Sequence, residues 1–149
     1  MLFRSRVMKK IRDILAGKGN HIWSVTPDDT VFDALRLMAD KHLGALLVLQ
    51  DEHLVGIISE RDYARKIILR GRLSHATRVE EIMTPNVVCA RPEQSIEESM
   101  AVMTDKRIRH LPVLEGDQVI GVVSIGDLVK AVIAEQQFMI DQLEHYITG

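Results

Sequence analysis

The sequence is short of several things, and each shortage removes a class of function. Cys89 is the only cysteine, so no internal disulfide can form, and a reducing, cytoplasmic compartment is the expected setting. Aromatic residues make up 4% of the chain and Trp23 is its only tryptophan. The stacking surfaces that single-stranded nucleic acid needs are therefore missing. Net charge is −2, which gives no attraction to nucleic acid or to an anionic membrane. No apolar run approaches the ~18–20 residues that span a bilayer. The six histidines include no i, i+4 pair and meet no cysteine cluster, so no zinc or other metal site is expected. No nucleophile–base pair, phosphate-binding loop or pair of acids with a catalytic task is found, and the chain is not expected to be an enzyme. Acids are also missing from the N-terminus until Asp13. A short transit peptide would look like this, but Val7, Ile11, Ile14 and Leu15 have the spacing of a packed helix face.

What the chain does have is a 46% apolar composition over 149 residues, enough for one domain with a proper core. It also repeats itself. Pro27-Asp28-Asp29-Thr30-Val31 returns sixty-five residues later as Pro92-Glu93-Gln94-Ser95-Ile96. Without a gap, Met38 falls on Met103, Asp40-Lys41 on Asp105-Lys106, Leu46 on Leu111, and Val48-Leu49 on Val113-Leu114. Gly56-Ile57-Ile58-Ser59-Glu60-Arg61-Asp62 falls on Gly121-Val122-Val123-Ser124-Ile125-Gly126-Asp127. A duplication of this kind is one supersecondary unit built twice, and function is expected where the copies meet.

Each copy reads β-α-β-β-α. A short strand, Ile22 to Val25 or Asn86 to Ala90, precedes a proline-containing turn. Thr30 and Ser95 then stand as N-caps with Asp33 and Glu98 at capping-box spacing. Helices follow over Val31 to His42 and Ile96 to Arg107. Two apolar strands separated by a short polar turn predict a hairpin in each copy: Ala45 to Leu49 with Leu54 to Ile58, and His110 to Leu114 with Val119 to Val123. A last helix opens after Ser59 and after Ser124. In the second copy, Leu128, Val132, Ile133, Ile140, Leu143 and Ile147 predict one long apolar stripe, suited to packing on another chain or on the N-terminal helix. Gly71 to Arg78 is a polar link, and Val79 to Met83 one helical turn.

Two units of this pattern, each ending Gly-apolar-apolar-Ser-x-x-Asp, resemble tandem CBS domains, the cystathionine-β-synthase-type repeats that pair as a Bateman module. His110-Leu111-Pro112-Val113 and the lead-in Val79-Glu80-Glu81-Ile82-Met83-Thr84 are similar to that family as well. The implied fold is α/β (α+β), with two pseudo-twofold-related repeats forming one module. The boundaries read as a lead-in at 1–20, repeat 1 at 21–73, repeat 2 at 79–137 and a helical extension at 138–149. The resemblance implies a stand-alone CBS-pair protein, a homodimer acting on an unknown regulated protein. It also implies regulation by an adenosine-containing ligand in the cleft between repeats: AMP foremost, with ADP, ATP, NAD(H) or S-adenosylmethionine as alternatives. Such a module would serve energy sensing.

The residues give that expectation a physical basis. Gly56 and Gly121 remove a side chain where a strand admits a close neighbour. Ser59 and Ser124 sit where strand gives way to helix, a place whose free N–H groups suit phosphate. Asp62 and Asp127 are acceptors suited to a ribose diol. Ile57 and Val122 could line an adenine slot. Ser-x-x-Asp is equally the signature of a helix cap, so from the residues alone both readings stand. By analogy with the family, one site combines Ser24, Leu43 and Gly44 with Arg109, His110, Val122, Ser124 and Asp127. Its mate combines Cys89, Ile108 and Arg109 with Gly44, Ala45, Ile57, Ser59 and Asp62. The Arg109-His110 pair makes the first better furnished for an anion. A basic run at Arg61, Arg65, Lys66, Arg70 and Arg72 is a solvated helix face or a phosphate or partner contact, with Arg61 best placed. Cys89 reads as a buried, inert strand residue, and Met38, Met83, Met100 and Met103 as core. The rival readings are a ligand-free interaction scaffold and a weak nucleotide hydrolase.

Overall fold

The computed structural model of the chain describes residues 9–19 and 21–148. Val7, expected on the first helix face, and most of the basic N-terminal segment lie outside the described residues. The elements in order are α1 (Ile11–Lys18), β1 (Ser24–Val25), α2 (Val31–Lys41), β2 (Ala45–Gln50), β3 (His53–Ser59), α3 (Glu60–Tyr63), α4 (Val79–Ile82), α5 (Ile96–Lys106), β4 (His110–Glu115), β5 (Gln118–Ser124) and α6 (Ile125–Thr148). A π-helical turn, Ala64–Ile68, continues α3, and a 3₁₀ turn, Ser74–Ala76, interrupts the link. The chain forms two compact units, one of residues 21–88 with 116–119, the other of residues 9–19, 89–115 and 120–148.

The 21–88 unit is built on a three-stranded sheet in the order β1-β2-β3. β1 runs parallel to β2 with Ser24 opposite Leu47, and β2 pairs antiparallel with β3, Ala45 opposite Ser59 and Leu47 opposite Ile57. Asp51 and Glu52, both in the left-handed region with φ of 51° and 68°, close this hairpin in the manner of a type I′ turn. The Thr30 hydroxyl accepts the Asp33 N–H at 3.1 Å and starts α2, which ends as His42 turns left-handed. Val31, Ala34 and Met38, at helical spacing on α2, bury one face against Val25, Leu46, Val48 and Ile58 of the sheet and against Ile67, Val79 and Ile82.

The other unit contains α1, α5, the β4–β5 pair and α6. Ser95 caps α5 through the Glu98 N–H at 3.0 Å, and the chain leaves α5 at Arg107, again left-handed. Ile11, Ile14 and Leu15 of α1 are buried, as are Ile96, Met103, Leu111, Val113, Val123, Leu128 and Ala131.

Three expectations need correction. The strand foreseen at Asn86 to Ala90 is reduced to a single parallel bridge, Ala90 with Val113. Ala90 N–H bonds the Pro112 carbonyl at 2.8 Å and Leu114 N–H bonds the Ala90 carbonyl at 2.9 Å. The next rung back would need an N–H from Pro112, which has none; Leu47 holds the equivalent position in the first copy and pairs with Ser24. Cys89 accordingly lies outside any strand and is half-buried. Nor is the apolar row of α6 one stripe. Leu128 faces the core, whereas Ile133, Ile140, Leu143 and Ile147 are exposed, because the helix runs on past the elements that cover its first turns.

The lead-ins are exchanged between the copies. Val79 N–H bonds the Asp29 carbonyl and Val31 N–H the Thr77 carbonyl, both at 2.8 Å. In the other unit, Ile11 N–H bonds the Gln94 carbonyl and Ile96 N–H the Lys9 carbonyl, both at 3.0 Å. Residues 94 and 96 are the repeat equivalents of 29 and 31. The segment ahead of the second repeat thus completes the first, and α1, ahead of the first repeat, completes the second. Both glycines serve this packing. A Cβ on Gly56 would lie 2.5 Å from Met83 Sδ, and one on Gly121 would lie 2.6 Å from Leu15 Cδ2.

Candidate functional site

Each unit carries one copy of the strand-to-helix motif. In the 21–88 unit, Ser59 ends β3 and caps α3. Its N–H and hydroxyl reach Asp62 Oδ2 at 2.9 and 3.0 Å, and the Asp62 N–H returns to Ser59 Oγ at 3.2 Å. Asp62 Oδ1 meets Lys66 Nζ at 3.3 Å and the Thr84 hydroxyl at 3.4 Å. Thr84 is placed there by its two backbone bonds to Ile57, 3.0 and 2.8 Å. Lys66 is fixed by the Ile82 carbonyl at 2.8 Å.

In the other unit, the Ser124 N–H donates to Asp127 Oδ2 at 2.8 Å and the Asp127 N–H to Ser124 Oγ at 3.1 Å. Here the cation comes from α1: Lys18 Nζ lies 2.6 Å from Asp127 Oδ2 and 2.9 Å from the Val122 carbonyl. Partial burial opposes the charge on Asp127, but the Lys18 ammonium and the Ser124 N–H outweigh it and hold the carboxyl below its ordinary range.

The residue that precedes the hairpin is tied to the motif in both units. Glu60 N–H bonds the Gly44 carbonyl at 3.1 Å, and Ile125 N–H bonds the Arg109 carbonyl at 2.9 Å. Within the first unit this gathers Gly44, Ala45, Ile57, Ser59, Arg61 and Asp62, while Leu43 packs against the core and Ser24 pairs with Leu47 on the far side of β2 from β3. Within the second it gathers Arg109, His110, Val122, Ser124 and Asp127, with Ile108 just ahead of β4. The residue so tied is a glycine, Gly44, beside Ser59, and an exposed arginine, Arg109, beside Ser124. Burial raises the Cys89 thiol above its ordinary range, against the smaller pull of Arg91, so the thiol is not activated for chemistry.

The CBS-domain family profile matches residues 11–69 and 79–134. The chain belongs to the CBS-domain family. Its two matches coincide with the two motif-bearing repeats, each with its lead-in. Among relatives, the mitochondrial CBS domain-containing protein CBSX3 of Arabidopsis thaliana is 43% identical over 149 residues, covering 93% of this chain and 72% of its own. A solved CBS-domain protein from Burkholderia ambifaria, described in terms of signal transduction, is 54% identical with a TM-score of 0.82 over 85% of this chain and 96% of its own. A hexameric CBS-CP12 protein from bloom-forming cyanobacteria is 28% identical, with a TM-score of 0.73 over 81% of this chain and 70% of its own. The chain is a CBS-pair regulatory module of mixed α/β fold. No helix among the described residues is long and apolar enough to cross a membrane.

Sequence reasoning missed Lys18 and Thr84, and it left Lys66 within a general basic run. That run divides in the structure. Lys66 serves Asp62, Arg72 pairs with Glu81 at 2.6 Å, and Arg61, Arg65 and Arg70 stay exposed. The signal for Lys18 was the lead-in register. Ile11, Ile14 and Leu15 match Val79, Ile82 and Met83 at an offset of sixty-eight residues, not sixty-five. That register sets Ala16 in the place of Thr84, and Lys18 reaches Asp127 from two residues beyond it.

Proposed function

We propose that this CBS module binds an adenosine-containing ligand at its Ser-x-x-Asp turns and acts by changing shape or partner affinity, without catalysing a reaction. The observation that carries the reading is the duplicated, partly buried carboxylate at a strand-to-helix turn, held by a neighbouring N–H and met by an ammonium in both units. A carboxylate so oriented is a preorganised acceptor for a vicinal diol, and the cations beside it suit phosphate. AMP is the first candidate, with ATP and NAD(H) next. The chemistry is the same in the cytoplasm, the expected compartment, and in the mitochondrion named for the Arabidopsis relative. To regulate, the ligand must bind two states of the module unequally; tight binding alone shifts nothing.

Thermal unfolding of ligand-free protein tests this directly. A ligand at about one hundred times its dissociation constant adds about 2.7 kcal/mol, which for a chain of this size raises the midpoint by several degrees. Flat curves across AMP, ATP, NADH and S-adenosylmethionine sink the reading and favour a ligand-free scaffold. Release of inorganic phosphate or adenine on long incubation favours the hydrolase.

The module is further proposed to act as a homodimer through α6. Val129, Ile133, Ile140, Leu143 and Ile147 share one side of that helix and are exposed, a row too apolar to be left in water along a 24-residue helix. A dimer mass by light scattering is expected, with Ile140→Glu and Leu143→Glu together giving the monomer. A monomeric mass for the unsubstituted protein at roughly tens of micromolar, or a hexamer like the cyanobacterial relative's, overturns the dimer.

A further inference from the structure

The two motif aspartates are met by ammonium groups that the duplication does not explain. Lys66 reaches Asp62 from one turn along the same helical run. The repeat equivalent of Lys66 is Ala131, which has no charge. Lys18 reaches Asp127 instead from the last turn of α1, a turn that α4 lacks because it stops at Ile82. The two contacts therefore arose from unrelated positions, and they differ in grip: 3.3 Å at Asp62 against 2.6 Å at Asp127.

We infer that Lys18 makes the Asp127 site selective for a diol ligand that also carries phosphate, and selective against the neutral nucleoside. The inference rests on the reading of Asp127 as a ribose acceptor. Asp127 Oδ2 already accepts two hydrogen bonds, from the Ser124 N–H and from Lys18, while Oδ1 has no partner among the described residues. A carboxylate oxygen has two lone pairs. A diol that donates to both oxygens must therefore displace the ammonium from Oδ2. A neutral nucleoside exchanges an ion pair for a hydrogen bond from an uncharged hydroxyl and leaves the ammonium only the Val122 carbonyl, 2.9 Å away. A nucleotide carries its own anion on the same ribose. The freed ammonium, on a flexible four-carbon stem, can move to that phosphate and regain a charge-assisted bond. Lys18 thus penalises the diol alone and rewards the diol with phosphate. The depressed titration of Asp127 is in keeping with an ammonium that stays on the carboxylate until an anion replaces it.

Calorimetry with two probes, AMP and adenosine, tests this on the full chain in an Asp62→Ala background that leaves one motif intact. The ratio of AMP to adenosine affinity should fall about tenfold or more in Lys18→Met, as expected for loss of one charge-assisted bond, while adenosine affinity holds or rises. Lys18→Gln, which keeps a donor for the Val122 carbonyl, should show the same fall and carries the test should the methionine variant not fold. An unchanged ratio, or adenosine weakened as much as AMP, overturns the selectivity while leaving nucleotide binding intact. Failure of the unsubstituted protein to bind either probe overturns the nucleotide reading and this inference with it.

Discussion

Ile11→Ala should destabilise the protein by about 2–5 kcal/mol, the cost of truncating a fully enclosed large aliphatic side chain. Ile11 is 0% exposed although it lies ahead of the first repeat, where a loose lead-in would tolerate alanine. It is held there by its N–H bond to the Gln94 carbonyl and by the return bond from Ile96 to Lys9, so the cavity cannot close by letting α1 slide. The unfolding midpoint should fall by roughly 4 °C or more. Arg12→Ala is the contrast. Arg12 pairs with Glu93 and Glu115 at 2.6 and 2.7 Å, but its side chain is half exposed, and exposed, solvent-screened ion pairs contribute little to stability. If Ile11→Ala costs no more than Arg12→Ala, α1 is not part of the core.

That comparison bears on what the residues reveal unaided. The repeated fold was legible because duplication doubles every weak local signal. Thr30 and Ser95 both cap, Gly56 and Gly121 both admit a neighbour, and both hairpins fall where the apolar runs break. The loss of the strand at 86–90 was harder to see, since it turns on one missing N–H on the partner strand at Pro112, a pairing effect and not a propensity of residues 86–90. The exposure of Ile133 and Ile140 on α6 likewise depends on where the covering elements stop. The aspartates of the candidate site were legible from spacing. Their partners were not: Lys18 and Thr84 come from lead-ins whose exchange is a tertiary fact, expressed in the sequence only as a register three residues off that of the repeats.

Asp127→Ala should weaken the tighter nucleotide site by roughly ten- to hundredfold, the cost of about 1.5–3 kcal/mol for losing a charge-assisted hydrogen bond. Asp62→Ala should act mainly on a weaker site. The order follows from what surrounds each carboxylate: an exposed Arg109 beside the Ser124 turn, a Gly44 backbone beside the Ser59 turn. The alanine variant leaves the Lys18 ammonium only the Val122 carbonyl, but Lys18 meets a phosphate in both proteins, so AMP and adenosine should lose affinity to a similar degree. Fold should survive in both variants. The Asp127 N–H still has Ser124 Oγ at 3.1 Å, and losing one cap contact costs about 1 kcal/mol. Acid should imitate the substitution. Because Asp127 titrates below its ordinary range in the folded protein, the stability its charge contributes is fully present above the unfolded carboxyl pKa of about 3.9 and is lost as pH falls through the lower folded value. Binding measured near neutral pH is therefore free of this titration. A two-phase calorimetric titration decides the assignment: loss of the high-affinity phase in Asp62→Ala with Asp127→Ala untouched reverses it, and no change in either folded variant reduces both motifs to helix caps.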